Sequence, residues 1–430
     1  MFGAIVNSRR RERKLLLYSG VYQFVGILIL YLGGFFDKLP SHMWGVVITL
    51  GTILAFMLVS VFWQYNGFKA DLFLLPITSV LTGTGLVFLL RLEPHYAVRQ
   101  FFWLLVALAA LVVVTTLLRS CQVLSEYQYI YALLGAVLLL LPIFLGVEQG
   151  GSRSWLDFQL FQVQTSEFVK ILLVLFLAAF LAENRRILSA GSGTLLGVPI
   201  PGVRDWGPMV AMWTVALILL VFQRDLGAAL IYFCTFLAMV YAATARVFYI
   251  IFGLVTFLLG GLSSYFIFHH VRQRVDIWLN PWPYFETSGY QVIQSLFAIG
   301  SGGILGTGLG AGKPDLIPAV HTDFIFAAIC EEMGLLGGLG IIILFLLFIY
   351  RGFKIALQAR DDFSALMAAG LTSLTGLQVF IIVAGVIKLL PLTGITMPYI
   401  SYGGSSLVVN FILLGLLLNV SHRAGLNNEK

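Results

Sequence analysis

Ile317-Pro318-Ala319-Val320-His321-Thr322-Asp323-Phe324 leads without a break into an apolar run that continues to residue 350. A helix needs roughly 20 apolar residues to cross a bilayer, so the run is long enough to span. It is entered through a carboxylate. An ionisable side chain at a membrane edge is costly unless it faces protein, water or substrate. The stretch therefore predicts both a spanning helix and, at Asp323, the place to look for chemistry.

The surrounding chain supports the first reading. Its 430 residues are 59% hydrophobic and 11% charged, against about 25% charged in an ordinary soluble domain. Twelve runs approach spanning length: 15–36, 43–63, 72–90, 101–118, 129–146, 167–181, 208–222, 226–242, 247–268, 324–350, 366–387 and 405–420. This predicts an all-α polytopic membrane protein. The first run is too long for a cleavable signal peptide, and no small-residue cleavage site precedes a soluble domain. Arg9, Arg10, Arg11, Arg13 and Lys14 precede it, which holds the N-terminus in the cytoplasm. Counting alternately from there, one side receives 16 of the 26 Lys and Arg, including Lys69, Arg119, Arg185, Arg204, Arg246, Arg351, Lys354, Arg360, Arg423 and Lys430. The other side holds Lys38, Arg91, Arg99, Arg153, Lys170, Arg224, Arg272, Arg274, Lys313 and Lys388. That bias predicts an even number of spans with both termini inside.

The net charge of +6 is then mostly this topology rule. No Lys/Arg stripe with interleaved aromatics lies outside the membrane, so no nucleic-acid partner is expected. Three cysteines imply no disulfide framework. Residues 183–206, with Gly191, Gly193, Gly197 and Pro201, read as a plain connector. Two outer segments stand out, 148–166 and 269–323. The second is about 55 residues long, and loops of that length tend to be functional. Its middle, 291–299, is apolar enough for a short interfacial or re-entrant helix, which requires protein or water to satisfy its backbone.

Gly300-Ser-Gly-Gly-Ile-Leu-Gly-Thr-Gly-Leu-Gly-Ala-Gly-Lys313 is not a nucleotide loop: no Lys-Ser/Thr follows the glycines, and no strand precedes them. It is either a flexible turn or a close backbone approach to a lipid-linked pyrophosphate, aided by Lys313. Asp323 is either a helix cap or part of a polar cavity. Asp323, Ala327 and Glu331 share one helical face by i, i+4 spacing, which favours the cavity. In Gly151-Ser-Arg153-Ser-Trp155, Arg153 is an interfacial anchor or part of a head-group site. Glu167 and Lys170 pair at i, i+3, structurally or functionally. Gln223-Arg-Asp225-Leu-Gly227 reads as a helix hairpin, and the hydroxyl-rich 391–406 as a re-entrant linker or a cavity wall. The six histidines show no zinc spacing.

Together these segments resemble the SEDS family (shape, elongation, division and sporulation), which includes FtsW, RodA and SpoVE. The resemblance covers about 81–423. It rests on Arg99-Gln100, Gly151–Trp155, Ser166-Glu-Phe-Val-Lys170, Gln223–Gly227, the 289–303 segment, His321-Thr-Asp-Phe324 with Glu331-Glu332, and 391–406. Thr165 and Arg224 stand where the family usually has Pro, Ile382 where it has Asn, and Lys388 at a usually small or uncharged place.

The resemblance implies a SEDS-type ten-helix core over 72–430 with a large outer loop before Asp323. Residues 1–71, a basic N-terminus and about two extra transmembrane helices, are then an addition. It implies a peptidoglycan glycan-strand polymerase at the outer face of the bacterial cytoplasmic membrane, serving elongation, division or sporulation. The GlcNAc 4-hydroxyl of lipid II would attack the donor's MurNAc anomeric carbon, and undecaprenyl pyrophosphate would leave. Asp323 matches the family's essential aspartate, as a base or as a ligand of a divalent cation, Mg or Mn; other metal ligands are unassigned. Arg153, Lys170, Lys313 and Arg272 or Arg274 are candidates for stabilising the leaving pyrophosphate. Trp155, Glu167, Gln294, His321, Thr322, Ser401 and Ser405 complete the expected substrate-binding set. A class B penicillin-binding protein is the implied partner.

A lipid II flippase or a non-catalytic membrane scaffold are the alternatives. The polar motifs at Arg153, Glu167, Asp225, Asp323 and Ser401 gather on one side of the membrane, which favours surface chemistry over a translocation path.

Overall fold

The computed structural model describes residues 2–34, 42–118, 121–149, 152–159, 161–190, 193–195, 198–200 and 203–425. Gly151, Gly191, Gly197, Pro201, Lys38, Arg119 and Lys430, all used in reading the sequence, lie outside the described residues. Apolar runs become helices because a helix satisfies its backbone polar groups internally, as lipid requires. In chain order these are α1 (Phe2–Leu32), α2 (His42–Tyr65), α3 (Leu74–Leu92), α4 (Pro94–Leu117), α5 (Gln128–Leu145), α6 (Thr165–Ala190) and α7 (Val203–Phe222). Then come α8 (Leu226–Thr244), α9 (Val247–Ile267), α10 (His269–Leu279), α11 (Tyr290–Gly302), α12 (Ile325–Leu357), α13 (Asp362–Val386) and α14 (Gly404–Gly425).

Among the described residues, 11 helices are long and apolar enough to cross a membrane. The twelfth expected run is α7, whose apolar part, Gly207–Phe222, is shorter. Local chemistry sets several ends. Pro94 opens α4 directly after Glu93 closes α3, since a first-turn proline has no bond to lose. Asp225 caps α8 by accepting from the Ala228 N–H at 3.1 Å, and Asp361 caps α13 through the Ser364 N–H at 2.9 Å.

The core sits on α3, α6, α13 and α14. α3 is 94% buried over its apolar stretch, whereas α9 is 6% buried and touches only α8 and α10 closely. α14 packs on α4, α13 on α6 and α8, and α12 on α13 and α3. α1 lies against α2 and α3. The N-terminal pair is also fastened to the far end of the chain. Arg9 pairs with buried Glu12, donates to the Phe68 carbonyl at 2.6 Å and sits 5.3 Å from the Trp63 ring centroid. The Lys69 N–H donates to His422 Nδ1 at 2.8 Å, the Asp71 N–H to Ser421 Oγ at 2.9 Å, and Arg351 pairs with Asp71. Helix alternation puts these ends on one side and the polar outer segments on the other.

Those outer segments are ordered structures, not loops. An antiparallel sheet is formed by β1 (Val147–Gln149), β2 (Ser152–Asp157) and β3 (Gln162–Gln164), with Trp155 paired to Gln164. The 269–323 segment holds α10, α11 and short 3-10 turns. The 183–206 connector contains a small hairpin, β4 (Gly193–Leu195) with β5 (Val198–Ile200).

One expectation is overturned inside α12. The run read as a single span is broken at Gly334, where φ is +69° and ψ −171°, leaving a stub, residues 325–333, ahead of the long piece that continues to Leu357. The break frees backbone groups that must be satisfied in a membrane protein, and the glycine-rich loop does this. Thr307 and Gly308 N–H groups donate to the Glu331 and Glu332 carbonyls at 3.0 Å each, and Leu335 N–H donates to the Gly303 carbonyl at 2.9 Å. A Cβ on Gly306 would lie 2.3 Å from the Glu332 carbonyl oxygen, and one on Gly334 would lie 2.3 Å from Gly306 N. The glycines are there for backbone-to-backbone contact. They form neither a flexible turn nor a phosphate cradle.

Glu331 and Glu332 belong to the same splice. Glu331 Oε1 accepts the Lys313 N–H at 2.7 Å, and Glu332 Oε2 accepts the Gly310 N–H at 3.0 Å. Arg91 from α3 donates to Glu332 at 3.0 Å and to the Gly312 carbonyl at 3.1 Å, and lies 3.3 Å from Asp315. These two acids therefore do not extend a polar face from Asp323. The loop takes one oxygen of each carboxylate, and Arg91 takes the other oxygen of Glu332.

Candidate functional site

A cavity of about 1090 Å³ opens on the side of the outer segments. Its wall comes from α4, the β-sheet, α6, the α7–α8 turn, α10, α11, the residues before α12 and the 387–404 segment. Asp323 is half-buried in this wall. It precedes α12, whose N-cap position is Phe324 without a side-chain cap, so the carboxylate is not spent on capping. A Cβ at Gly394 would stand 3.5 Å from Asp323 Oδ2, which fixes the 393–396 segment as its neighbour. Burial pushes the Asp323 carboxyl up to about 6, while the Thr322 hydroxyl and the positive charge of Arg274 pull it back.

The backbone carrying Asp323 is held from behind. Ser401 Oγ donates to the Thr322 carbonyl at 2.5 Å and accepts the Met397 N–H at 2.9 Å. Tyr402 N–H donates to the His321 carbonyl at 2.9 Å, and Gln100 Nε2 to the Ser401 carbonyl at 3.2 Å. Tyr96 stacks near both His321 and Tyr402, with ring centroids 4.6 and 4.5 Å away. Burial lowers the His321 imidazole, which keeps it neutral and part of this aromatic wall.

Opposite lies the α6 cluster. Lys170 pairs with Glu167 at 2.5 Å and donates to Gln378 Oε1 at 3.1 Å, while Gln378 Nε2 donates to the Thr396 carbonyl at 2.7 Å. Asp225 Oδ2 accepts from Ser166 at 3.0 Å and from Gln164 at 3.3 Å. Burial raises the Asp225 carboxyl, against the hydrogen bonds it accepts. Arg274 donates to the Leu392 and Thr393 carbonyls at 3.1 Å each and carries its charge between Asp225 and Asp323.

Of the residues singled out in the sequence, Asp323, Thr322, His321, Trp155, Glu167, Lys170 and Arg274 line this cavity. Ser401 and Ser405 stand behind the wall; Ser405 Oγ accepts the Gln164 N–H at 3.4 Å. Four others lie elsewhere. Arg153 is exposed and does not line the cavity, although Ser152, Ser154 and Trp155 around it do; its Nε donates to the Gly146 carbonyl at 3.1 Å. Arg272 is two residues from Arg274, roughly 200° around a helix, and faces Asp276 at 3.9 Å and the Tyr265 ring. Gln294 and Lys313 line a second cavity of about 410 Å³ between α11, the glycine loop and α12. The structure adds Tyr96, Arg99, Gln164, Asp225, Lys388 and Tyr402. Asp225 had been read as a hairpin residue; its position between two apolar runs was the available signal.

The arrangement combines a carboxyl that burial raises to about 6, a guanidinium whose charge acts on it and a Lys–Glu pair lining the same cavity. Such a site can accept a proton and stabilise departing negative charge. Among the described residues no three His, Cys, Asp or Glu gather, so a Mg or Mn ion here would rest on Asp323 with the remainder of its shell from phosphate and water.

Comparison with known proteins agrees with this picture. The family model FTSW_RODA_SPOVE, described as cell cycle protein, matches residues 70–425. The chain is 43% identical to the peptidoglycan glycosyltransferase RodA of Mycobacterium leprae over 364 residues, covering 82% of this chain and 78% of the relative. It is 41% identical to RodA of Mycobacterium tuberculosis strain H37Rv over 432 residues, covering 97% and 91%. Stage V sporulation protein E of Bacillus subtilis is 38% identical over 289 residues, covering 66% and 75%. Among solved structures, a chain from a peptidoglycan synthase complex superposes with a TM-score of 0.68 at 28% identity, covering 83% of this chain and 98% of that one. RodA of Thermus thermophilus gives 0.60 at 25% identity over the same shares.

Proposed function

The chain belongs to the FtsW/RodA/SpoVE family of cell cycle proteins, and from that premise we propose how it works as a peptidoglycan glycosyltransferase. It is a multi-pass membrane protein. Its substrate is lipid II, and it elongates glycan strands on the outer face of the cytoplasmic membrane, with both termini on the inner face. The observation that carries this reading is Asp323 in the wall of a large polar cavity, beside Arg274 and with the Lys170–Glu167 pair lining the same space.

Asp323 takes the proton of the acceptor GlcNAc 4-hydroxyl as that oxygen bonds to the anomeric carbon of the donor MurNAc. The anomeric carbon–oxygen bond breaks, and its electron pair leaves on undecaprenyl pyrophosphate. Arg274 and Lys170 offset the departing charge. A bound Mg or Mn ion would have Asp323 as a protein ligand and draw the rest of its shell from the pyrophosphate and water. The likeness to a chain of a peptidoglycan synthase complex supports a class B penicillin-binding protein as partner.

The test is purified protein with its partner in detergent or proteoliposomes, given labelled lipid II. A ladder of glycan chains on a gel is expected. Movement of lipid II across the vesicle bilayer with no polymer would overturn the reading in favour of a flippase, and partner binding with neither activity in favour of a scaffold. A tagged copy concentrated at the growing wall or at the septum separates elongation from division.

A pH profile is the second check. Because the carboxylate is the working form of a base, kcat/KM should fall below a midpoint near pH 6, the value to which burial raises Asp323. A midpoint near pH 4, where an unperturbed aspartate titrates, would exclude Asp323 as the group that must be ionised.

A further inference from the structure

Lys388 lines the cavity and is the one charged side chain of the 387–404 segment. It follows the last turn of α13, with Ile387 as the C-cap. The Lys388 N–H donates to the Gly385 carbonyl at 3.1 Å, and the Leu389 N–H to the Ala384 carbonyl at 2.7 Å. These two bonds are the helix-ending pattern whose second position favours glycine. Lysine occupies it with φ +62°, a left-handed conformation that a Cβ makes unfavourable. A strained lysine in place of glycine points to a use for its side chain.

Local duties do not account for that use. Trp278 Nε1 donates to the Lys388 carbonyl at 3.2 Å, a bond that any residue would accept. The ammonium makes one long contact, 3.4 Å to the Leu279 carbonyl. Other cations around the cavity are engaged: Lys170 by Glu167, Arg274 by two carbonyls, Arg224 by Glu148 at 3.7 Å and Arg99 by the Tyr402 hydroxyl. The Lys388 ammonium has no carboxylate partner among the described ion pairs. It stands on the same segment as Leu392 and Thr393, which hold Arg274.

We propose that Lys388 is a substrate-binding residue whose ammonium, together with Arg274, holds the diphosphate of the lipid-linked donor. This rests on the glycosyltransferase reading of the cavity. An ammonium suits a diphosphate as a mobile point charge, and its long stem lets it follow the leaving group.

The test compares wild type with Lys388→Gly, Lys388→Met and Lys388→Arg. Losing one charge-assisted contact should raise KM for lipid II about tenfold in the Gly and Met variants, with kcat changed less and Lys388→Arg close to wild type. Lys388→Gly should melt at the wild-type temperature or above it, because glycine relieves the backbone. A Gly variant that melts well below wild type would mean that the ammonium serves the helix end, and would overturn the proposal. Direct binding of a short polyprenyl diphosphate distinguishes the diphosphate from the carboxylates of a stem peptide. Its Kd should weaken in parallel with KM, and an unchanged Kd would overturn the proposal. Absence of polymer from wild type would sink the glycosyltransferase reading, while the diphosphate-binding measurement would still decide Lys388.

Discussion

Asp323→Ala should lose glycan polymerisation by about 10²–10⁴-fold, the range that a positioned base contributes, while the protein remains folded and able to bind its partner. Asp323→Asn should be equally inactive, since an amide keeps the shape but accepts no proton. The stability effect has the opposite sign. The folded-state value is raised to about 6 by burial, above the unfolded value of about 3.9. Between those values the folded chain holds a proton that the unfolded chain releases. Stability from this group is therefore present below pH 4 and is lost as pH rises through 6. At neutral pH the carboxylate is a burden, and Asp323→Asn should melt no lower than wild type. The pairing of lost activity with retained or improved stability is what a site strained for function produces. A full glycan ladder from the Asp323→Ala protein would end the catalytic assignment. A clear drop in its melting temperature would show that the carboxylate holds the fold instead.

Gly334→Ala should abolish folding. Its φ of +69° costs an alanine roughly 1–3 kcal/mol. The added Cβ would also stand 2.3 Å from Gly306 N and 2.4 Å from the Ile304 carbonyl oxygen, and neither backbone atom can rotate away. The only relief is separation of the glycine loop from α12, which strips hydrogen bonds from the break and loosens the Arg91–Glu332 pair. A buried pair broken on one side costs about 3–5 kcal/mol. Membrane extraction followed by fluorescence-detected size exclusion should show little monodisperse protein. Gly340→Ala is the control: it lies in the same helix with nothing within 4 Å of its Cβ, so expression should match wild type. Wild-type yield from Gly334→Ala would mean that α12 can run straight.

The spans were legible because apolar length is a direct requirement of lipid, and eleven of the twelve runs reappear at spanning length. Asp323 was legible for the same reason, as a carboxylate with no place in such a run. The Glu167–Lys170 pair was legible from i, i+3 spacing. What the sequence hid is long-range pairing. Nothing near Glu331 and Glu332 says that they answer to Gly310, Lys313 and Arg91. The hold of the Gly146 carbonyl on Arg153, which lies outside the cavity, is likewise a contact that spacing does not announce. Gly334 sits in an apolar run where a lone glycine usually continues the helix, and its reversal of φ appears only when Gly306 is set against it. Asp225 read as a turn residue because a turn and a cavity wall use the same residue types, and Lys388 stood out only as a charge at a usually small or uncharged place.

The splice between the glycine loop and α12 also governs where this chain can be edited. Residues 302–313 look like the obvious linker, rich in glycine and facing outward. Their register is locked, however, by four backbone hydrogen bonds to 331–336 and by the Gly310 and Lys313 N–H groups on the Glu332 and Glu331 carboxylates. An inserted tag or a single deleted residue there would shift every match at once. Tolerance to insertion follows backbone bonding and not composition. A reporter belongs instead on a segment that no helix break depends on, while 302–313 should vary in side chain only where a side chain is already present, and never in length.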